Sequence, residues 1–137
     1  MKQLPAKYYD EYTRTFNVSE DAVTSFGEAT GDWNRLHFDE EYSKDTIFKG
    51  RIAHGMLGAG FISATIAERF SDYVVVYVEQ ALSFRAPVRI DDEVTVELFV
   101  ESYDIIKSNA KILTELKLPD EKLAITGYAT IKLMEIE

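Results

Sequence analysis

The second half of the chain alternates apolar and polar residues with the two-residue period of β-strands. The clearest segment is EVTVELFVE at residues 93–101, in which nearly every second side chain is apolar. Turn-forming residues, among them Pro87 and the pairs Asp91-Asp92 and Pro119-Asp120, separate such segments. Alternation of this kind is typical of strands with one face exposed to water. The predicted strands are residues 73–84, 93–102, 109–118 and 123–134.

The first half shows helical spacing after one short strand, predicted at residues 12–16. Apolar residues recur at intervals of three and four over residues 22–29, which predicts a helix with one buried face. Ser19 is a good N-cap residue for this helix, and Gly31 is a suitable place for it to end. Residues 32–50 are irregular apart from a helical turn predicted near residues 40–44.

A second helix is predicted over residues 52–70. Its apolar residues lie on nearly all sides, so we expect it to be buried. Gly55, Gly58 and Gly60 each lower helix propensity by roughly 1 kcal/mol relative to alanine. We therefore expect another backbone to pack closely against these glycines. The aromatic residues at positions 61, 70, 84 and 99 are expected in the core.

Helices followed by consecutive strands predict an α+β fold with an antiparallel sheet. One largely apolar helix and about five long strands suggest a sheet wrapped around a central helix. The length of 137 residues suits one domain over residues 1–137. A domain of this size buries about two-thirds of its unfolded surface, so it needs no disulfide or metal to fold.

The composition excludes several classes of protein. Without cysteine, the chain has no thiol nucleophile and no thiolate zinc site. With 24 acidic and 15 basic residues and a net charge of −9, it lacks the character of a nucleic-acid-binding protein. No segment reaches the ~18 apolar residues of a membrane span, and the first residues lack a signal-peptide core. We expect a cytoplasmic protein with no nucleic-acid or membrane partner.

Both histidines lie in the least regular part of the chain, where functional residues are often found. Asp32 and His37 are separated by a short loop that can bring a carboxylate and an imidazole to one site. Such a pair can exchange a proton with a substrate near neutral pH. An aspartate that caps a turn and a histidine packed on a loop would give the same spacing, and the spacing alone leaves this alternative open.

His54, Gly55 and Met56 stand at the start of the predicted apolar helix. The first N–H groups of a helix have no partner within it, and a glycine lets a ligand oxygen approach them closely. This arrangement would suit an oxyanion. A tight turn at Gly55 beside a structural His54 is the alternative. A metal site of His37 and His54 with Asp32 or Asp39 is conceivable, but we expect no metal.

Two segments together resemble one known family. GDWNRLH at residues 31–37, followed by GRIAHGMLGAGFISA at residues 50–64, resembles the motif of MaoC-like (R)-specific enoyl-CoA hydratases and 3-hydroxybutyryl-CoA dehydratases. QALSFRAPVRIDDEV at residues 80–94 is similar to a strand-turn-strand segment of that family, with Asp91-Asp92 replacing its usual Gly-Asp. The resemblance implies the hot-dog fold, in which a sheet wraps around a central helix.

The resemblance also implies roles for individual residues. Asp32 and His37 become the catalytic pair, and the Gly55 N–H becomes the oxyanion donor. Four further residues are assigned to substrate binding by the motif and its surroundings: Asn34, Ser63, His54 and Met56. Arg35 stands where the family commonly has proline.

The implied activity is a hydro-lyase reaction, the reversible syn addition of water to a short- to medium-chain trans-2-enoyl-CoA. CoA is part of the substrate, and no cofactor is expected. Because proteins with this fold usually dimerise, the resemblance implies a homodimer or higher homo-oligomer. Three alternatives remain: a dehydratase for acyl-carrier-protein thioesters, a hot-dog acyl-CoA thioesterase, and a non-catalytic acyl-CoA-binding module. The net charge of −9 would repel an acidic carrier protein, and a pure binding module has no use for an Asp32–His37 pair.

Overall fold

A five-stranded antiparallel sheet forms the frame of the molecule, with the strand order β1-β3-β4-β5-β2. The structure is a computed structural model that describes residues 2–136. The strands are β1 (Tyr12–Asn17), β2 (Tyr73–Phe84), β3 (Glu93–Asp104), β4 (Asn109–Lys117) and β5 (Leu123–Glu135). All five predicted strands are confirmed, with ends that differ by no more than two residues.

Four α-helices precede the long strands: α1 (Glu20–Thr30), α2 (Arg35–Phe38), α3 (Glu40–Ser43) and α4 (Gly55–Arg69). The Ser19 hydroxyl accepts the Ala22 N–H at 3.1 Å, and Gly31 ends α1 with φ 77°, so both predicted boundaries of this helix are confirmed. The short helix α2 falls in a segment predicted to be irregular. Within residues 2–136, no helix is long and apolar enough to cross a membrane.

Helix α4 begins at Gly55 rather than at Ile52 because the preceding residues are extended. The Ala53 N–H donates to the Val88 carbonyl at 2.8 Å, and Ile52 forms an isolated antiparallel bridge with Arg89. Pairing with the segment before β3 uses the backbone groups that a helix would need. The start of α4 is thereby fixed against the sheet.

The core lies between α4 and the concave face of the sheet. Ile62 and Ile66 of α4 are fully buried against strand residues such as Val96, Ile112 and Ile131. The predicted alternation is confirmed in β3 and β4, where every second side chain is buried over most of the strand. This is the α+β architecture that the pattern predicts.

The prediction that α4 is buried on all sides is wrong. Its outer face is exposed and includes Met56, Gly60, Ser63 and Ala67. The expected close backbone contacts at the glycines are also absent. A Cβ on Gly55 would lie 2.8 Å from the Phe84 ring, one on Gly58 would lie 2.7 Å from Ile125 Cδ1, and none of the described residues lies within 4 Å at Gly60.

Candidate active site

Asp32, His37 and His54 meet where α2 faces the start of α4. One ligand atom from each lies within 4.8 Å of the others, and the centroids of the two imidazole rings are 4.0 Å apart. Both histidines are buried, whereas Asp32 is exposed. The structure therefore brings together the carboxylate and imidazole that the sequence places in one site.

The ring of His37 is held in one orientation by the backbone of the segment before α4. Its Nδ1 lies 2.7 Å from the Ile52 carbonyl oxygen. A carbonyl can only accept, so Nδ1 carries the proton and the lone pair is on Nε2. The ring is thus set up to accept a proton through Nε2.

Burial lowers the pKa of His37 below its ordinary value, and the neighbouring His54 and Arg51 lower it further. The hydrogen bond to Ile52 and the charge of Asp32 act in the opposite direction without overcoming burial. His37 is consequently neutral at neutral pH. A neutral imidazole with a free lone pair is the form that a general base requires.

The loop that carries the pair is shaped by local side-chain caps. Asp32 Oδ1 accepts the Asn34 N–H at 3.2 Å, and Asn34 Oδ1 accepts the Leu36 N–H at 3.0 Å, which makes Asn34 the N-cap of α2. Asp39 caps α3 through the Tyr42 N–H at 3.0 Å, and this bond lowers its pKa. Asn34 and Asp39 thus hold the loop, and Asp39 is not part of the cluster around His37.

His54 connects this loop to α4. Its Nε2 lies 3.1 Å from the Asp32 carbonyl oxygen, so Nε2 carries a proton. Its Nδ1 is buried and has no hydrogen-bond partner among residues 2–136. The rings of Phe26 and Phe38 pack on the imidazole, with centroids 4.6 and 5.5 Å away. His54 therefore fixes the position of Asp32 from an apolar setting.

An apolar cavity of about 360 Å³ opens beside these residues. His37, His54 and Gly55 line one end, where α4 begins without a side-chain cap. A helix start of this kind offers N–H groups to a negatively charged oxygen. The opposite wall is apolar and includes Val94, Leu116 and Ile125. The cavity therefore combines a polar end with space for an acyl chain.

Phe84 is a site residue that sequence reasoning missed. It was expected in the core, but 53% of it is exposed, because it ends β2 and turns its ring toward Gly55. The ring lines the cavity. Its position within the strand-turn-strand segment, residues 80–94, is the signal available in the sequence.

Three predicted substrate-binding residues, Asn34, Met56 and Ser63, do not line this cavity in a single chain. Met56 is exposed (56%), as is Ser63, and both belong to the outer face of α4. Neither lines the cavity. Their substrate-binding role remains a prediction that depends on what covers this face of the helix.

The cluster of Asp32, His37 and His54 is also close enough to hold a divalent ion. His37 has committed Nδ1 to Ile52, so it could coordinate an ion only through Nε2. The same lone pair is the one that general-base chemistry uses. Metal coordination and proton abstraction by His37 are therefore mutually exclusive.

Comparisons with known proteins agree with the motif. The family described as MaoC like domain matches residues 3–120. An (R)-specific enoyl-CoA hydratase of Rhodospirillum rubrum is 40% identical over 83% of this chain and 78% of its own. A 3-hydroxybutyryl-CoA dehydratase of Methylorubrum extorquens is 38% identical over 88% of this chain and 76% of its own.

The fold is shared with a solved (R)-hydratase of A. caviae, which is 31% identical with a TM-score of 0.87. The match covers 92% of this chain and 96% of that one. It confirms the predicted hot-dog arrangement of sheet and central helix. The chain therefore belongs to the MaoC-like domain family.

Proposed function

We propose that the protein is an (R)-specific trans-2-enoyl-CoA hydratase that also runs in reverse as a (3R)-hydroxyacyl-CoA dehydratase. The observation that carries this proposal is the neutral His37, which lines an apolar cavity together with the start of α4 and lies beside the Asp32 carboxylate. The relatives named hydratase and dehydratase support the same reaction.

In the proposed mechanism, Asp32 and His37 hold one water molecule between them. As its oxygen bonds to the β-carbon of the enoyl thioester, the water loses a proton to one member of the pair. The pair then returns a proton to the α-carbon on the same face, so the pair is regenerated and the net change is the addition of H and OH. Either member can be the acceptor, His37 through the lone pair of Nε2 and Asp32 through its carboxylate.

The electrons displaced from the double bond collect on the thioester oxygen in the transition state. The Gly55 N–H at the start of α4 stabilises this developing enolate, and one such donor is worth about 10²–10³ in rate. The apolar wall of the cavity accommodates a short- to medium-chain acyl group. No step needs a cofactor, so we expect an unchanged rate after treatment with EDTA.

The decisive experiment is incubation with crotonyl-CoA and longer enoyl-CoAs, followed by chiral analysis of the 3-hydroxy product. Loss of the enoyl chromophore with formation of the (3R) product supports the proposal. Release of free CoA thiol would show a thioesterase instead. Faster turnover of the same acyl group on an acyl carrier protein would favour the dehydratase for that carrier. Binding without turnover would leave a non-catalytic module.

We also propose that the enzyme acts as a homodimer. Within residues 2–136, β2 pairs with β5 on one side only. It exposes Val74, Val76 and Val78 by 48, 43 and 56%. An unpaired apolar strand edge favours association with another strand. A second copy would also cover the outer face of α4 and so bring Ser63 into an interface.

Light scattering after size-exclusion chromatography tests this assembly. We expect twice the chain mass for the unmodified protein and a loss of dimer for Val76→Lys. A monomeric mass for the unmodified protein at full activity would contradict it. We further propose that the 137 residues form one hydratase domain, so this chain should be active when expressed alone. Location in the cytoplasm remains a prediction for cell fractionation to test.

A further inference from the structure

We propose that Arg51, held by Glu20, is a positioning residue for His37. The inference rests on the proposed function, because it treats His37 as a group that handles the proton of water. Arg51 and Glu20 lie outside the predicted catalytic and substrate-binding set. They join α1 to the backbone of α2 through one continuous set of hydrogen bonds.

The contact with His37 is short and partly buried. Arg51 Nε donates to the His37 carbonyl oxygen at 2.7 Å. The same guanidinium donates through one terminal nitrogen to both carboxylate oxygens of Glu20, at 3.0 and 2.9 Å. Only 18% of the Arg51 side chain is exposed, against 55% for Glu20. Glu20, in the first turn of α1, therefore anchors an arginine whose other donor holds His37.

The position of His37 depends on contacts from outside α2. Helix α2 has four residues, so it has few hydrogen bonds of its own. The residue after Arg51 supplies two more links, because Ile52 accepts from the His37 ring and its N–H donates to the Leu36 carbonyl at 3.3 Å. Residues 51 and 52 thus hold both the ring and the backbone of His37. Ile52 makes its links with backbone atoms, whereas Arg51 makes its link with its side chain.

Arg51 affects His37 through its positive charge as well as through its hydrogen bond. The ionisable groups that face the His37 ring are Asp32, His54 and Arg51. The positive charge of Arg51 disfavours protonation of His37 and so lowers its pKa, whereas Asp32 raises it. Replacing Arg51 by a neutral residue should therefore raise the pKa of His37. Lysine keeps the charge but lacks the forked donors needed to reach both acceptors.

These two effects can be separated with Arg51→Lys and Arg51→Gln. We expect both variants to lower kcat by roughly 10- to 100-fold, because a displacement of about 1 Å is enough for a loss of that size. KM should change by less than about threefold, since substrate contacts remain. Only Arg51→Gln should move the acid limb of the kcat/KM profile to higher pH. Glu20→Gln should lower kcat less than either.

The matched control is the ion pair of Arg14 with Glu68, whose nitrogen and oxygen are 2.9 Å apart. This pair also joins two elements, β1 and α4, but it does not contact the cluster. Arg14→Gln should leave kcat and the pH profile unchanged. Melting temperatures of all variants, measured with and without substrate, show whether a loss of rate reflects unfolding.

A readout independent of turnover is the pKa of His37 by NMR, which is tractable because the chain has two histidines. We expect a rise in Arg51→Gln and no change in Arg14→Gln. Unchanged kcat, pH profile and NMR pKa in the Arg51 variants would overturn the inference. If the unmodified protein turns over no enoyl thioester, the proposed function fails, while the NMR titration still decides whether Arg51 acts on His37.

Discussion

The sheet and the motif segment, residues 31–55, are built by different rules. In the sheet, burial alternates along β3 and β4, and backbone pairing repeats from one residue to the next. In the motif segment, single contacts fix single positions, such as the fully buried Ser43 hydroxyl, which donates to the Leu36 carbonyl at 3.1 Å. Repetition gives the sheet stability, whereas unrepeated contacts give the motif segment its chemistry. Substitutions in the two regions should therefore have separable effects.

The largest difference between the effect on activity and the effect on stability is expected for the catalytic pair. Asp32→Asn and His37→Ala should each lower kcat by about 10²–10⁴-fold, because a positioned acid or base is lost. Both variants should remain folded at the assay temperature, with the smaller change in melting temperature for Asp32→Asn, since Asp32 is exposed and His37 is buried. Steady-state hydration of crotonyl-CoA and thermal unfolding measure both quantities.

Asp39→Asn is the matched control, since it makes the same exchange in the same segment at a residue that caps α3. Asparagine is an equally good N-cap, so activity and stability should both be retained. Near-normal hydration by Asp32→Asn would contradict the role given to that carboxylate.

The opposite pattern is expected in the sheet. Ile131→Ala should lower the free energy of unfolding by about 2–5 kcal/mol, because Ile131 is fully buried in β5. The rate per folded molecule should be unchanged at low temperature. Urea unfolding and active-site-normalised kcat test this, with Leu113→Ala as the control, since Leu113 of β4 is 42% exposed. A loss of kcat as large as that of His37→Ala would remove the distinction between the regions.

Gly55 connects the two regions, because it is the last residue of the motif segment and faces the ring of Phe84 in β2. A Cβ at this position would lie 2.8 Å from that ring, so Gly55→Ala must displace either Phe84 or the start of the helix. We expect roughly a tenfold or greater fall in kcat from the misplaced N–H donor. Kinetics of Gly55→Ala, Phe84→Ala and the double variant separate the two causes. Partial recovery in the double variant supports the clash, and additive losses count against it.

A change of pH should act on the motif segment in a defined direction. Burial lowers the pKa of His37, so activity should persist below about pH 6.5 and fall as the pH passes the lowered value. The unfolded chain takes up this proton at higher pH than the folded one, so stability should also decrease as the pH falls below about 6.5. The decrease should end once the folded histidine is protonated. A kcat/KM profile with an acid limb above about pH 6.5 would contradict this sign.

The smallest effect is expected at Asp91, in the turn before β3. Asp91 has φ 72°, a left-handed conformation that costs a side-chain-bearing residue about 1 kcal/mol. Asp91→Gly should therefore stabilise the protein by about that amount in urea unfolding. Asp92→Gly should have the opposite sign, because Asp92 Oδ2 accepts the Arg89 N–H at 2.9 Å. Destabilisation by Asp91→Gly would show that its carboxylate makes a compensating contact.

Much of the fold was predictable because it depends on repetition. Alternating residues identified the long strands, and a cap at Ser19 and a glycine at Gly31 identified α1. Helix α2 was not predicted because it has four residues, which are too few to show the helical period of apolar residues. Its start is fixed by the Asn34 side chain as N-cap. The exposed face of α4 was missed for another reason, since apolar composition cannot tell burial within a chain from burial in an assembly.

The site was predictable where residue identity carries the chemistry. Asp32 and His37 stand out by type and spacing, and the family resemblance gives them roles. The Ile52 carbonyl that orients His37 belongs to the backbone, so it cannot be predicted from the residue type. The contact of Arg51 with Glu20 joins positions 31 residues apart, and Phe84 approaches Gly55 only after the sheet has formed. These contacts depend on tertiary structure.

The far wall of the cavity has a consequence for how such an enzyme can change its substrate range. Val94, Leu116 and Ile125 come from three neighbouring strands and are also core residues, each almost fully buried. Trimming one of them would admit a longer chain, and it would also remove packing that keeps the protein folded. Evolution toward bulkier substrates is therefore tied to compensating gains in stability elsewhere, whereas the reacting groups at the opposite end can stay as they are.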